Sequence, residues 1–407
     1  MVKHVLGEDC MEDNVKTKDI DVLMVGGGSG GHITPLIAVA EQLLTRDASL
    51  KIAHVGQRGD RFNTVLRRSA FIVASYEVSA GKFRRYNGES WLNRLLDVKT
   101  NFLNMRDVVR VFIGLVQSWF LLKKMRPRVI LARGGYVGVP VCLAARMLGI
   151  PYVTHDSDAM VSLANRIIGK DAVAHATALP AENYPAYDSA KIVQVGVPVR
   201  SEFVRVTPAM QASAKRDLGY DYNDQLLLVV GGGLGAQNVN NAVVADARKM
   251  LERNSRLKIM HVSGEKLEAQ VKNAYKKSLS SSQLSKAKVI GFSHELHAVS
   301  AAADVVVTRA GATNMAEFAA QGKACIVVPS PLLAGGHQLK NAEVYKQKKA
   351  AVVIAEEDLQ AGLSRAVERL MSSEEVQKQF GDRLHELFVP EAAAGLADLL
   401  LKTMKDD

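Results

Sequence analysis

The residues of this chain best suited to chemistry gather at glycine-rich turns, each followed by a helical pattern. GGGSGG at 26–31 and GGGLGA at 231–236 both follow a short apolar run, Leu23-Met24-Val25 in the first and Leu228-Val229-Val230 in the second. Each fits G-x-G-x-x-G/A, through Gly26, Gly28 and Gly31 or through Gly231, Gly233 and Ala236. Glycines let the backbone approach a phosphate, and the helix that follows offers unpaired N–H groups and a positive dipole end. A dinucleotide site also needs an acid near the end of the second strand to hold the ribose. Those positions read Val55-Gly56-Gln57 and Val262-Ser263-Gly264, with the acid missing or displaced to Glu265, which disfavours an oxidoreductase.

His32 directly follows the first turn. The positive end of a helix disfavours imidazolium, so a histidine there is placed to act as a base. A third turn, Gly134-Gly135-Tyr136 within RGGYVGVP, follows the apolar run 129–132 and opens another helix, a second place for a phosphate. In the second half, RAGATNMAE at 309–317 places Thr313 and Glu317 four apart on one helix face. A carboxylate there can accept both hydroxyls of a ribose while N–H groups at the helix start meet a diphosphate. GGHQLKN at 335–341 joins another loop to a helix, with Gln338 and Asn341 as amides suited to sugar hydroxyls. Asp156-Ser157-Asp158 has the look of a D-x-D metal motif, but that motif belongs to an architecture with one nucleotide-binding fold, so no metal is expected.

Positioning these turns requires parallel sheets. Short apolar runs alternate with amphipathic stretches, the pattern of an α/β fold, and the echoed strand–glycine–helix unit implies two doubly wound domains in tandem. Strands are expected at 21–25, 51–55, 71–76, 129–132, 152–154 and 192–195, then at 226–230, 258–262, 289–290, 305–308, 324–328 and 352–354. The domain boundary falls near 196–200. The expected organisation is a loose tail at 1–19, one Rossmann-like domain at 20–199, a second at 200–385, and a C-terminal helix at 386–407 that packs back on the first. A chain of 407 residues, 48% hydrophobic and 23% charged, has ample material for two cores.

The net charge of +10 is unevenly distributed. Residues 82–133 hold 12 Lys/Arg against 3 Asp/Glu, so about +9 of the excess lies in one segment that also contains both tryptophans. Basic residues interleaved with large apolar ones suit an anionic membrane surface, with Trp91, Phe112, Trp119, Lys123 and Lys124 as the expected contacts and nucleic acid as no partner. The apolar stretch 108–122 is interrupted by Arg110 and is too short to span a bilayer. Cys10, Cys142 and Cys325 are odd in number and far apart, so free thiols in a reducing compartment are expected.

Taken in order, GGGSGGHITPLIAVA at 26–40, RGGYVGVPVCLAA at 133–145, LGIPYVTHDSD at 148–158, VGVPVR at 195–200, VVGGGLGAQNVN at 229–240, the block at 303–331 and GGHQLKNA at 335–342 resemble the MurG family of N-acetylglucosaminyltransferases. The resemblance implies the GT-B fold, two Rossmann-like domains facing across a cleft, and inverting transfer of N-acetylglucosamine from UDP-GlcNAc to a lipid-linked muramoyl-peptide pyrophosphate, without a cofactor. It implies a peripheral enzyme on the cytoplasmic face of the inner membrane, whose acceptor is polyprenyl-pyrophosphate-linked. Carried over by position, Gly28, Ser29, Gly30, Gly31, Gly134, Gly135 and Tyr136 would hold the acceptor pyrophosphate. Arg200, Gly233, Gly311, Ala312 and Thr313 would meet the donor's diphosphate and sugar region, Glu317 its ribose and Gln338 its GlcNAc hydroxyls, with backbone near Phe292 and Ser293 holding the uracil. His32 is the expected base and Asp158 the alternative. Two departures stand out: His155-Asp156-Ser157-Asp158 replaces the family's usual His-Glu-Gln-Asn, and Gly233 stands where serine is common. Rival readings are another UDP-sugar glycolipid transferase, a UDP-GlcNAc epimerase of the same fold, and a nucleotide-sugar-binding module without turnover.

Overall fold

A computed structural model describes residues 19–28, 30–60, 62–82, 97–233, 235–332 and 334–405. Ser29, Trp91 and residues 1–18 lie outside the described residues. The chain divides at Arg200: the described residues up to there, joined by those from Glu391 onward, form one unit, and Ser201–Pro390 form the other.

The first unit is built on seven strands: β1 Val22–Val25, β2 Ile52–Gln57, β3 Ala74–Val78, β4 Val129–Ala132, β5 Tyr152–Asp156, β6 Ala174–Thr177 and β7 Ile192–Gln194. All pairings are parallel, in the order β3-β2-β1-β4-β5-β6-β7. Strand β1 reads VLMV because both its faces are covered. Val22 and Met24 enter one core layer, and Leu23 and Val25 the other. Helix Ala392–Thr403 completes the first layer, its Leu396, Ala397 and Leu400 packing with Val39 and Leu43 of helix Gly30–Arg46.

The second unit repeats the plan with β8 Gln225–Val230, β9 Leu257–Val262, β10 Ala287–Ile290, β11 Val305–Thr308, β12 Ala324–Val327 and β13 Val352–Val353. Their order is β10-β9-β8-β11-β12-β13, again parallel. Each sheet has one topological switch point, β1 against β4 and β8 against β11, where doubly wound sheets bind ligands at the carboxyl ends of the strands.

Most strand ends lie within two residues of the sequence expectation, and two differences are larger. Strand β6, Ala-His-Ala-Thr, has no β-branched apolar run and was not expected; its pairing to β5 and β7 makes it a strand. Strand β3 begins at Ala74 rather than at 71, because Phe71 and Ile72 pack against the core before the strand starts.

Candidate active site

At the switch point of the first unit, Val25 lies beside Ala132, so the turns that follow β1 and β4 meet. Gly28 and Gly135 have φ of 87° and 75°, the left-handed region that glycine tolerates. A Cβ on Gly135 would stand 3.1 Å from the carbonyl oxygen of Gly27, so the two turns are in backbone contact. His32, half-buried, reaches across: its Nδ1 is 2.9 Å from the carbonyl oxygen of Arg133. A carbonyl only accepts, so Nδ1 carries the hydrogen, and in the neutral ring Nε2 is then the proton acceptor. His54, buried behind the first turn, lies 3.0 Å from the Gly26 carbonyl through Nε2 and 2.9 Å from Ser75 Oγ through Nδ1. Burial pushes its pKa down to about 4, so it braces the turn as a neutral ring.

Sequence reasoning missed Asp60. Its Oδ2 accepts the Gly28 N–H at 2.5 Å, and its Oδ1 the Phe62 N–H at 3.1 Å. An acid does therefore follow β2, but it is turned onto the glycine loop. A pyrophosphate oxygen seeking the Gly28 N–H must displace this carboxylate. Asp60→Asn keeps an acceptor there without the charge, so for the acceptor pyrophosphate that the sequence resemblance implies at this turn, KM is expected to fall severalfold at low salt and the gain to shrink as salt screens it. An unchanged KM at every salt concentration would show that Asp60 does not compete with the acceptor.

The block His155–Asp158 begins in the last two residues of β5, and hydrogen bonds within the unit hold it. His155 is buried, with Nε2 donating to the Gly196 carbonyl at 3.0 Å. Burial, reinforced by the Arg133 charge, pushes its pKa down to about 3. Asp156 is buried and accepts from the Ser162 N–H at 3.0 Å and the Tyr187 hydroxyl at 2.5 Å, while desolvation raises its pKa. Asp158 is half-buried, its carbonyl accepting from the Tyr184 hydroxyl at 3.0 Å. Among the described residues, no group of three or more His, Cys, Asp or Glu is arranged to hold a metal ion.

In the second unit, three helices start at the carboxyl ends of the adjacent strands β8, β11 and β12: Gln237–Arg253, Ala312–Gln321 and His337–Gln347. Their N-cap residues, Ala236, Gly311 and Gly336, have no polar side chain to cap them, and none has an acid in its first turn. Helix starts without side-chain caps, with three positive dipole ends at the carboxyl ends of adjacent strands, suit a diphosphate. Thr313 and Glu317 are buried on one face of helix Ala312–Gln321. Gln338 is buried, and its Oε1 accepts from the Ser330 N–H at 2.9 Å, leaving its amide N–H groups as the donors it can offer a sugar. Asn341 donates to the Ala310 carbonyl at 3.0 Å, bracing the loop before Gly311. Arg309 pairs with Glu356 and donates to the Val328 carbonyl at 3.3 Å, which commits it within the unit. Phe292 and Ser293, both half-buried, follow β10, and half-buried Arg200 closes the first unit.

The two units match the glycosyltransferase family 28 N-terminal domain over residues 22–177 and the corresponding C-terminal domain over residues 226–396. A UDP-N-acetylglucosamine–N-acetylmuramyl-(pentapeptide) pyrophosphoryl-undecaprenol N-acetylglucosamine transferase from Citrifermentans bemidjiense is 33% identical over 339 residues, 83% of this chain and 87% of that one. The chain belongs to the MurG family. A relative of the same description from Moorella thermoacetica is 30% identical over 388 residues, covering 94% of this chain and 99% of its own length. The crystal structure of Acinetobacter baumannii MurG superposes with a TM-score of 0.65 at 21% identity, covering 94% of this chain and 99% of that one. The fold is therefore GT-B, two Rossmann-like units, as the sequence implies.

Proposed function

We propose that this chain transfers N-acetylglucosamine from UDP-GlcNAc to the muramoyl sugar of a polyprenyl-pyrophosphate-linked peptide. The observation that carries the reading is His32: a half-buried ring between two glycine turns, with Nδ1–H held and Nε2 the accepting nitrogen, in a chain whose relatives are transferases of this description. In the reaction, the acceptor hydroxyl gives its proton to His32 Nε2 as its oxygen attacks the anomeric carbon. The bond from that carbon to the diphosphate breaks, its electron pair leaves on UDP, and a single displacement inverts the anomeric centre. Uncapped helix starts near Gly311 and Gly336, Gly233 in the loop before Gln237 and the Arg200 guanidinium stabilise the charge on UDP. Ala312, Thr313 and Gln338 contact the sugar region, Glu317 accepts the ribose hydroxyls, and backbone near Phe292 and Ser293 holds the base. Gly28, Gly30 and Gly31, with Gly134, Gly135 and Tyr136, take the acceptor pyrophosphate. Complementation tests the reading: the chain should restore growth to bacteria depleted of their own MurG, and catalytically dead variants should not. Failure of the folded, membrane-fractionating wild-type chain to do so would count against it.

The acceptor is anchored in lipid, and helix Val98–Met125 offers a surface for that lipid. No helix of the described residues is long and apolar enough to cross a membrane. Phe102, Met105, Val109, Phe112, Ile113 and Phe120 are exposed at helical spacing on this helix, the first two and Phe112 by 71%, 68% and 66%. Trp119 is half-buried against the core, and Lys123 Nζ lies 4.7 Å from its ring centroid. An apolar stripe ending in Lys123 and Lys124 suits the anionic cytoplasmic leaflet. Each basic residue at such a surface contributes about 1 kcal/mol, and each fully buried large apolar side chain roughly 1.5–3 kcal/mol. Replacing Phe102, Met105 and Phe112 by serine and Lys123 and Lys124 by glutamine is expected to lower binding to phosphatidylglycerol vesicles by well over tenfold while UDP affinity stays constant. Unaltered cosedimentation would remove this helix from the membrane contact.

A further inference from the structure

Arg133 is only 2% exposed at the end of β4, directly before the Gly134-Gly135 turn. A guanidinium is costly in such a place unless acceptors meet its N–H groups, and both Nη groups of Arg133 find one. One of these acceptors is created by the sequence of helix Gly30–Arg46. Pro35 has no N–H, so the carbonyl four residues earlier, that of Gly31, loses its helical donor. Arg133 Nη1 donates to that carbonyl. Its Nη2 donates to Ser157 Oγ at 2.7 Å, and its own carbonyl accepts the His32 Nδ1–H at 2.9 Å.

We infer that Arg133 is a positioning residue for His32, holding the imidazole through its carbonyl and the preceding peptide through its guanidinium, with Ser157 as the third anchor. One residue thereby sets the backbone and the ring of the histidine together. It ties the turn after β1 to the turn after β4 and to the segment after β5. Rotation of the ring about Cβ–Cγ would place Cδ2–H at the Arg133 carbonyl and Cε1–H, in place of the accepting Nε2, toward the acceptor hydroxyl. Lysine cannot replace the fork, because a compact ammonium lacks the fixed, divergent N–H groups that reach Gly31 and Ser157 at once. The inference rests on His32 being the base.

Two measurements on the full chain separate a positioning role from a merely structural one. With 15N-histidine labelling and His32→Asn to assign the signals, long-range 1H–15N correlation is expected to show His32 in the wild type as the single Nδ1–H tautomer. Arg133→Met should show a mixture. In kinetics with UDP-GlcNAc and a lipid pyrophosphate acceptor, Arg133→Met is expected to lose about 10- to 100-fold in kcat, the scale of a small misplacement of a catalytic group. The donor KM should change less than about twofold, since the donor residues of unit two are untouched. Arg133→Lys should recover little of the rate, and Ser157→Ala should lose a smaller part of it with the same kinetic split. If Arg133→Met does not fold, Arg133→Lys and Ser157→Ala carry the same two measurements. A folded Arg133 variant that keeps the single Nδ1–H tautomer and the wild-type kcat would overturn the inference. So would a fall in kcat matched by an equal fall in folded fraction. If the wild type lengthens no acceptor, the transferase reading fails instead, and the tautomer experiment still decides what Arg133 does.

Discussion

Replacing His32 by alanine is expected to lower kcat by about 10²–10⁴, the range for loss of a general base, with UDP-GlcNAc affinity almost unchanged. The expectation comes from local geometry: Nδ1 is tied to the Arg133 carbonyl, so Nε2 is the nitrogen that can take a proton. Asp158 is the competing candidate. A limb of the pH–rate profile that survives Asp158→Asn and disappears in His32→Ala assigns the proton transfer to His32. The reverse pattern, with His32→Ala active, would assign it to Asp158. His32→Asn separates chemistry from loop shape, because asparagine can donate to the same carbonyl but cannot take the proton. Restoration of most of the rate by His32→Asn would reduce His32 to a structural element of the turn.

Glu317→Ala is expected to weaken UDP and UDP-GlcNAc alike, by roughly ten- to a hundredfold, because the proposed ribose contact consists of charge-assisted hydrogen bonds worth about 1.5–3 kcal/mol. Glu317 is buried on the same face as Thr313, within a helix whose start has no side-chain cap. Gln338→Ala should instead weaken UDP-GlcNAc more than UDP, since the proposed role of its amide is contact with the sugar. Calorimetry with both ligands provides the comparison. Equal losses for Gln338→Ala would remove it from the sugar site, and full UDP affinity in Glu317→Ala would remove that carboxylate from the ribose.

The repeated strand–glycine–helix unit carried the fold in plain view, because parallel strands covered on both faces must read as apolar runs such as VLMV and QLLLVV. Strand β6 escaped notice for the converse reason: Ala-His-Ala-Thr is a strand through its neighbours, its His175 Nδ1 held by Thr154 Oγ1 at 2.7 Å and its ring stacked on Tyr187 at 3.6 Å. At the site, the glycine turns and His32 were legible because they are contiguous and chemically specific. Asp60 was not, because a three-residue turn after Gln57 brings it back onto Gly28, a contact across 32 residues. Arg133 was visible only as the first letter of a glycine motif. Its role depends on a carbonyl freed by Pro35 about a hundred residues earlier, which no local pattern reveals.

The decisive experiment is mass analysis of the lipid after incubating the purified chain with UDP-GlcNAc and a polyprenyl-pyrophosphoryl muramoyl-peptide. The expected product is the same lipid heavier by one N-acetylhexosamine residue, formed in step with UDP release and lost in His32→Ala. An unchanged lipid would contradict the transferase reading, whether UDP-GlcNAc remained intact, was hydrolysed, or was converted to another sugar.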